Sequence, residues 1–216
     1  MRKFALLILA FTLALGLAFT TTAGAGDLQQ GREYDLINPP QMPSSPGKIE
    51  VIEFFSYGCP HCAHLEPALS AWLKKLPADV SFRRIPLAGG PQWQATAKLF
   101  YTLDALGVEA RLHGDIFTAI HGDHSVVPAD EASIAAWAAK KGIDPAKFAA
   151  TYASFSVQSK VLQAQQTMSA HGVTGVPAMV IDGRYRVRNE AITSYDDLMV
   201  LTDAVVTKVR TERGKK

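Results

Sequence analysis

Cys59 and Cys62 are the only cysteines in 216 residues, and just two residues separate them. A disulfide between them would close a tiny loop, remove little entropy from the unfolded chain and stabilise little. The pair therefore reads as reactive. Three chemistries share this spacing. A c-type haem site needs histidine directly after the second cysteine, and that residue is Ala63. A zinc site needs two further ligands; no second cysteine pair exists, although His61 or His64 could contribute one. Thiol–disulfide exchange needs only the pair itself.

Exchange depends on which sulfur holds a negative charge, and position decides that. Residues 49–57 (IEVIEFFSY) are nearly all apolar or aromatic, the pattern of a central strand covered on both faces. From Pro60 the period turns helical, with Leu65, Leu69, Trp72, Leu73 and Leu76 on one face and Pro77 marking the end. Pro67 inside that helix is expected to kink it. Cys59 thus stands where a strand hands over to a helix, with Pro60 in the first turn. Unpaired N–H groups and the positive end of the helix dipole there favour a thiolate. His61 adds a donor or a positive charge. A stabilised Cys59 thiolate makes the disulfide an oxidant and Cys59 a good leaving group. Cys62, one turn in, is expected to be the buried and less reactive partner.

Other elements follow from punctuation and period. Tyr34–Ile37 reads as an edge strand and Val80–Leu87 as another. Residues 92–170 are helical, broken at Gly107, Gly122–Pro128, Gly142 and near Ser154, with starts at Asp130 and Asp144. Strand character returns at Ala178–Ile181, and Asp182-Gly183 turns the chain into Arg184–Arg188. Thr193 or Ser194 caps a last helix to about Arg210. A β–α–β crossover needs only a dozen or so residues, so the fold class is α/β with an inserted all-helical subdomain. The expected division is residues 26–90 and 171–216 for the α/β domain and 91–170 for the insertion with its return helix.

The N-terminus reads as a secretory signal over residues 1–25. Arg2 and Lys3 precede an apolar run from Phe4 to Phe19, and Ala23 and Ala25 form an A-x-A cleavage site. The full chain carries a net charge of +2. Arg2 and Lys3 leave with the leader and no acidic residue goes with them, so the mature chain is neutral. That balance points to neither nucleic acid nor an anionic membrane as partner. The basic end, Arg210 to Lys216, reads as a solvated tail.

Residues 53–62 (EFFSYGCPHC) closely resemble the active-site segment of the DsbA family of periplasmic thiol oxidants, within the thioredoxin superfamily. Gly175-Val176-Pro177, the leader and the helical insertion extend the resemblance over most of the mature chain, with the first two motifs diagnostic. The family is itself the standard example of an acidic cysteine and an oxidising disulfide. The resemblance implies a thioredoxin-like fold and a catalytic set of Cys59, Pro60, His61, Cys62 and Glu53. It implies a cis Pro177 beside the cysteines, with the Val176 backbone offered to an extended substrate. Valine at 176 is similar to the oxidants, whereas related isomerases and reductants tend to carry threonine. The implied partners are reduced or unfolded exported proteins and a DsbB-type membrane reoxidase. The protein is expected to be a periplasmic monomer needing no dissociable cofactor and no metal; no nucleotide-binding glycine pattern is present.

Glu53 is an oddity on its own terms. A carboxylate amid Val51, Ile52, Phe54 and Phe55 is poorly solvated, with a raised pKa, unless strand twist lets it reach water. Buried near Cys62, it could accept or relay that thiol's proton. Glu66 reads as a solvated helix face with a possible influence on Cys59, and His64 as a surface residue. His113, His121, His124 and His171 read as part of the helical block, His121 to His124 as a polar loop. Trp93, Trp137 and Phe148 are core candidates, and Tyr57 either packs or lines the substrate surface. Alternatives to a dithiol oxidase are a reductase or isomerase on the same fold, a non-catalytic peptide-binding chaperone, and a zinc module.

Overall fold

In the computed structural model a five-stranded mixed sheet carries the cysteine pair just beyond the end of an interior strand. The structure describes residues 28–188, 190 and 192–214; the leader expected over residues 1–25 and the last two lysines lie outside them. The strands are β1 (Tyr34–Leu36), β2 (Ile49–Phe55), β3 (Val80–Pro86), β4 (Ala178–Ile181) and β5 (Tyr185–Val187), in the order β1-β5-β4-β2-β3. β2 runs parallel to β3 and antiparallel to β4. Every residue of β2 is buried, as its unbroken apolar run requires.

Seven helices surround the sheet among the described residues: α1 (Pro60–Leu73), α2 (Pro91–Ala105), α3 (Glu109–Phe117), α4 (Glu131–Lys140), α5 (Pro145–Tyr152), α6 (Phe155–Ala170) and α7 (Tyr195–Gly214). Their starts follow capping chemistry. Asp130, Asp144 and Ser154 each accept a backbone N–H of the following first turn, from Ala132, Lys147 and Val157. The chain passes from α3 into one π-helical turn, Thr118–Gly122. α1 continues through Pro67 and stops at Leu73, three residues before Leu76.

Side chains alternate across a strand, and β2 shows the consequence. Ile52 and Phe54 face α6 together with Ile85, Ala164, Met168 and Val180. On the other side, Val51 packs with Leu65, Leu69, Val205 and Val206 of α1 and α7. Phe55, further along that side, joins Tyr57, Cys59, Cys62, Leu99, Phe100, Ile116 and Phe117 in a second cluster. α2 to α5 therefore roof the cysteine end of the sheet, while α6 covers the opposite face.

Two expectations need correction at the C-terminus. α7 runs to Gly214, beyond Arg210, and its basic residues are not a loose tail. Arg210 pairs with Asp79 at 2.7 Å and Arg213 with Asp182. Ion pairs to two loops of the sheet prolong the helix past the point where its apolar periodicity ends. The Asp182-Gly183 turn stands as expected, with both residues at positive φ, 57° and 62°.

Candidate active site

Cys59 is the N-cap of α1, with extended backbone (φ −94°, ψ 118°) and Pro60 in the first turn. No side chain caps that end. The N–H groups of His61 and Cys62 instead point at the Cys59 sulfur, which also receives the Cys62 thiol. The Cys62 hydrogen bond is the main effect holding the Cys59 thiol down, to about 6; burial opposes it, and the two N–H groups and the His61 charge add to it. The same contact and burial push the Cys62 thiol far up. Cys62 is fully buried and Cys59 is 8% exposed. One sulfur is prepared as an anion and the other as a thiol.

Val176 and Pro177 lie across from Cys59. The Cys59 thiol donates to the Val176 carbonyl at 3.5 Å, and the Val176–Pro177 peptide bond is cis. Pro60 and His61 are exposed on the same rim. His61 Nδ1 lies 3.2 Å from the Tyr195 hydroxyl at the start of α7. A surface groove of about 560 Å³ runs between them, lined by His61, Val176, Pro177, Ile192, Ser194 and Tyr195.

Glu53 does not reach water; it is 1% exposed. It sits behind Cys62 on the same face of β2 as Phe55, close enough for its charge to raise the Cys62 thiol. Burial drives the Glu53 carboxyl up to about 7, against the pull of Arg84 and His113. Glu66 corrects the expectation of a solvated face. Arg84 Nη2 donates to both its oxygens at 3.2 Å, and Ser70 donates to it at 2.8 Å. Burial would raise its carboxyl, but His113 and Arg84 hold it below the usual range. His64 is exposed, as its place in the period implied.

Three further residues complete this buried cluster. Arg84 bridges Glu53 and Glu66. His113, on α3 and 3% exposed, approaches Glu66 at 3.3 Å and Glu109 at 2.7 Å. Burial works against its proton, yet the adjoining Glu109 and Glu66 carboxylates prevail and raise its pKa. Tyr57 corrects another option: its ring is buried and its hydroxyl lies 2.9 Å from His113 Nδ1, away from any substrate surface. Sequence reading passed over Arg84 and left His113 as an ordinary residue of the helical block. The one available signal was charge complementarity, with Glu50 and Glu53 on one strand and Arg83 and Arg84 on the next.

The remaining histidines are accounted for locally. His121 meets the Tyr57 carbonyl at 2.8 Å and His124 the Ile120 carbonyl at 2.8 Å. His171 caps the end of α6, beside the Thr167 carbonyl. Among the described residues, no cluster of three or more His, Cys, Asp or Glu side chains could hold a metal ion. Trp137 and Phe148 are core residues, whereas Trp93 is half-buried and flanks the active-site turn. A Cβ on Gly58 would come 3.1 Å from its ring.

A strand delivering one acidic and one masked sulfur to a helix start, opposite a cis-proline turn, is the arrangement that comparison with known proteins then places. Residues 50–206 match the model of the DSBA-like thioredoxin domain. The chain belongs to that family. It is 40% identical over 209 residues to the thiol:disulfide interchange protein DsbA of Pseudomonas aeruginosa, covering 97% of this chain and 99% of that one. The DsbA of Bordetella pertussis is 43% identical over 172 residues, 80% of this chain and 81% of that one. Among solved structures, P. aeruginosa DsbA superposes with a TM-score of 0.82 over 89% of this chain and 99% of its own, at 40% identity. The oxidoreductase DsbA from Xylella fastidiosa gives 0.79 over 85% and 98%, at 33% identity. The DsbA-like protein described here is a thiol:disulfide oxidoreductase of thioredoxin-like fold. Among its described residues no helix is long and apolar enough to cross a membrane.

Proposed function

We propose that the protein is a periplasmic dithiol oxidase that introduces disulfide bonds into exported proteins through Cys59 and Cys62. The carrying observation is the asymmetry at the start of α1. Backbone N–H groups and the Cys62 thiol converge on Cys59 and favour its anion, while Cys62 stays buried and protonated.

The exchange follows from that asymmetry. In the oxidised protein a substrate thiolate attacks the Cys59 sulfur, forming an intermolecular disulfide, and Cys62 leaves with the electron pair. Glu53, with its acidity near neutrality, is the group that gives Cys62 a proton. A second substrate thiolate attacks the substrate sulfur of the mixed disulfide, and Cys59 leaves as the stabilised thiolate. The substrate has lost two electrons and the protein has gained them. Reoxidation by a membrane partner of the DsbB type reverses the roles: Cys59 attacks the partner's disulfide, and Glu53 takes the proton from Cys62. His61 and Pro60 shape the rim, and the Val176 backbone, beside Pro177, aligns an extended substrate chain. Residues 91–170 act as an inserted helical subdomain that roofs the site. The mature protein works as a monomer, exported by its residue 1–25 leader.

Equilibration of the purified protein against glutathione buffers, with oxidation of a reduced unfolded substrate followed in parallel, tests this reading. An oxidising equilibrium and accelerated substrate oxidation are expected. A position at the reducing, thioredoxin-like end would identify a reductase or isomerase, and no acceleration at all a peptide-binding chaperone.

A further inference from the structure

α7 begins beside the active site, and its first turn is tightly fixed. Ser194 Oγ accepts the Asp197 N–H at 3.1 Å, and the Asp197 carboxylate accepts the Thr193 hydroxyl at 2.6 Å and its N–H at 3.3 Å. Leu198 and Met199 then bury against α1. Tyr195, the first residue of the helix, is thereby held at a set distance from the second residue of α1, His61. Its hydroxyl meets His61 Nδ1 at 3.2 Å across 134 residues of chain.

We propose that Tyr195 is a positioning residue for the exchange reaction: its hydroxyl holds the His61 ring in one orientation, and this sets how strongly the Cys59 thiolate is favoured. The inference rests on the oxidant reading and deepens it.

The chemistry follows from the donor and acceptor inventory. A neutral His61 either accepts the Tyr195 hydroxyl at Nδ1 or donates to its oxygen from Nδ1–H, because the hydroxyl is both donor and acceptor. A charged His61 donates from Nδ1 to the Tyr195 oxygen and keeps the Nε2 proton as well. In every protonation state the bond is made at Nδ1, so the ring stays in one orientation relative to the neighbouring sulfur. Without the hydroxyl, other rotamers of the ring become available. His61 acts on the Cys59 sulfur through its charge, and Tyr195 feels the charge of Cys59, so all three groups share one local field.

The test compares Tyr195→Phe with the native protein, alone and in a His61→Ala background, reading the Cys59 thiol by ultraviolet absorbance and the equilibrium with glutathione. Phenylalanine keeps the ring that walls the groove. Tyr195→Phe is expected to make Cys59 less acidic and to shift the equilibrium away from the oxidant side by roughly two- to fivefold, the scale of one exposed hydrogen bond. In the His61→Ala background the same change is expected to do nothing further. An unchanged thiol and equilibrium, or an equal shift with His61 absent, would overturn the proposal. The native protein's own position against glutathione tests the oxidant reading separately.

Discussion

Arg84 stands directly opposite Glu53 in the register of β2 and β3, and its Nε donates to Glu53 Oε2 at 3.0 Å. The pairing puts a fixed cation beside the buried carboxyl behind Cys62. Arg84 also holds Glu66, which in turn meets His113 on α3. If every acid were ionised and His113 charged, three carboxylates would face two cations. One proton, most readily on Glu53, makes the cluster neutral. A buried network of this kind is expensive to break from one side.

The two cysteines have separable roles. Cys59→Ser abolishes exchange, because the protein can no longer form a disulfide for the substrate to attack. Cys62→Ser accumulates mixed disulfides between Cys59 and substrate, visible on non-reducing gels. Equal trapping by both variants contradicts the assignment.

The thiol that falls to about 6 makes reduced-state stability depend on pH. Its unfolded value is near 9, so the folded form releases its proton first. The stabilisation is complete above about 9 and is lost as pH falls through 6. Denaturation of the reduced and oxidised proteins should show the reduced form gaining on the oxidised one between pH 6 and 9. A constant gap argues against a stabilised thiolate.

Glu53→Gln removes the proposed proton carrier. Reoxidation at neutral pH should slow by about tenfold or more, since water has poor access to Cys62. The raised carboxyl also has a stability signature. Its unfolded value is 4.5 and its folded value about 7, so native stability declines from pH 4.5 to 7 on its account. The glutamine variant should lack that decline in chemical denaturation.

His113→Ala should cost about 3 kcal/mol, the usual penalty for leaving buried charges without their partner. The raised His113 pKa makes its contribution full below about 6.5, and the contribution disappears as pH rises through the folded value. The difference between native and variant should therefore be largest in acid and fade in alkali. A pH-independent difference would mean that packing, not charge, is lost.

Gly183→Ala provides a stability test remote from the sulfurs. Gly183 has φ 62°, and an added Cβ would come 2.1 Å from the Gln41 carbonyl oxygen. Backbone must move, and a loss of at least about 2 kcal/mol in thermal or urea unfolding is expected. The glutathione equilibrium should stay as in the native protein.

The spacing of Cys59 and Cys62 determined the chemistry without help from the fold, because two residues on a helix start leave the sulfurs little choice of geometry. Periodicity and punctuation likewise determined β2, α1, the breaks at Gly107 and Gly142, and the Asp182-Gly183 turn, all of which are local in sequence. What only the tertiary structure decided was non-local. Arg84 meets Glu53 through the register of two strands, His113 reaches Glu66 through the docking of α3 onto α1, and Tyr195 reaches His61 from the far end of the chain. Glu66 and His113 read as ordinary polar residues for the same reason: a charge on a helix looks solvated until its neighbours across space are known.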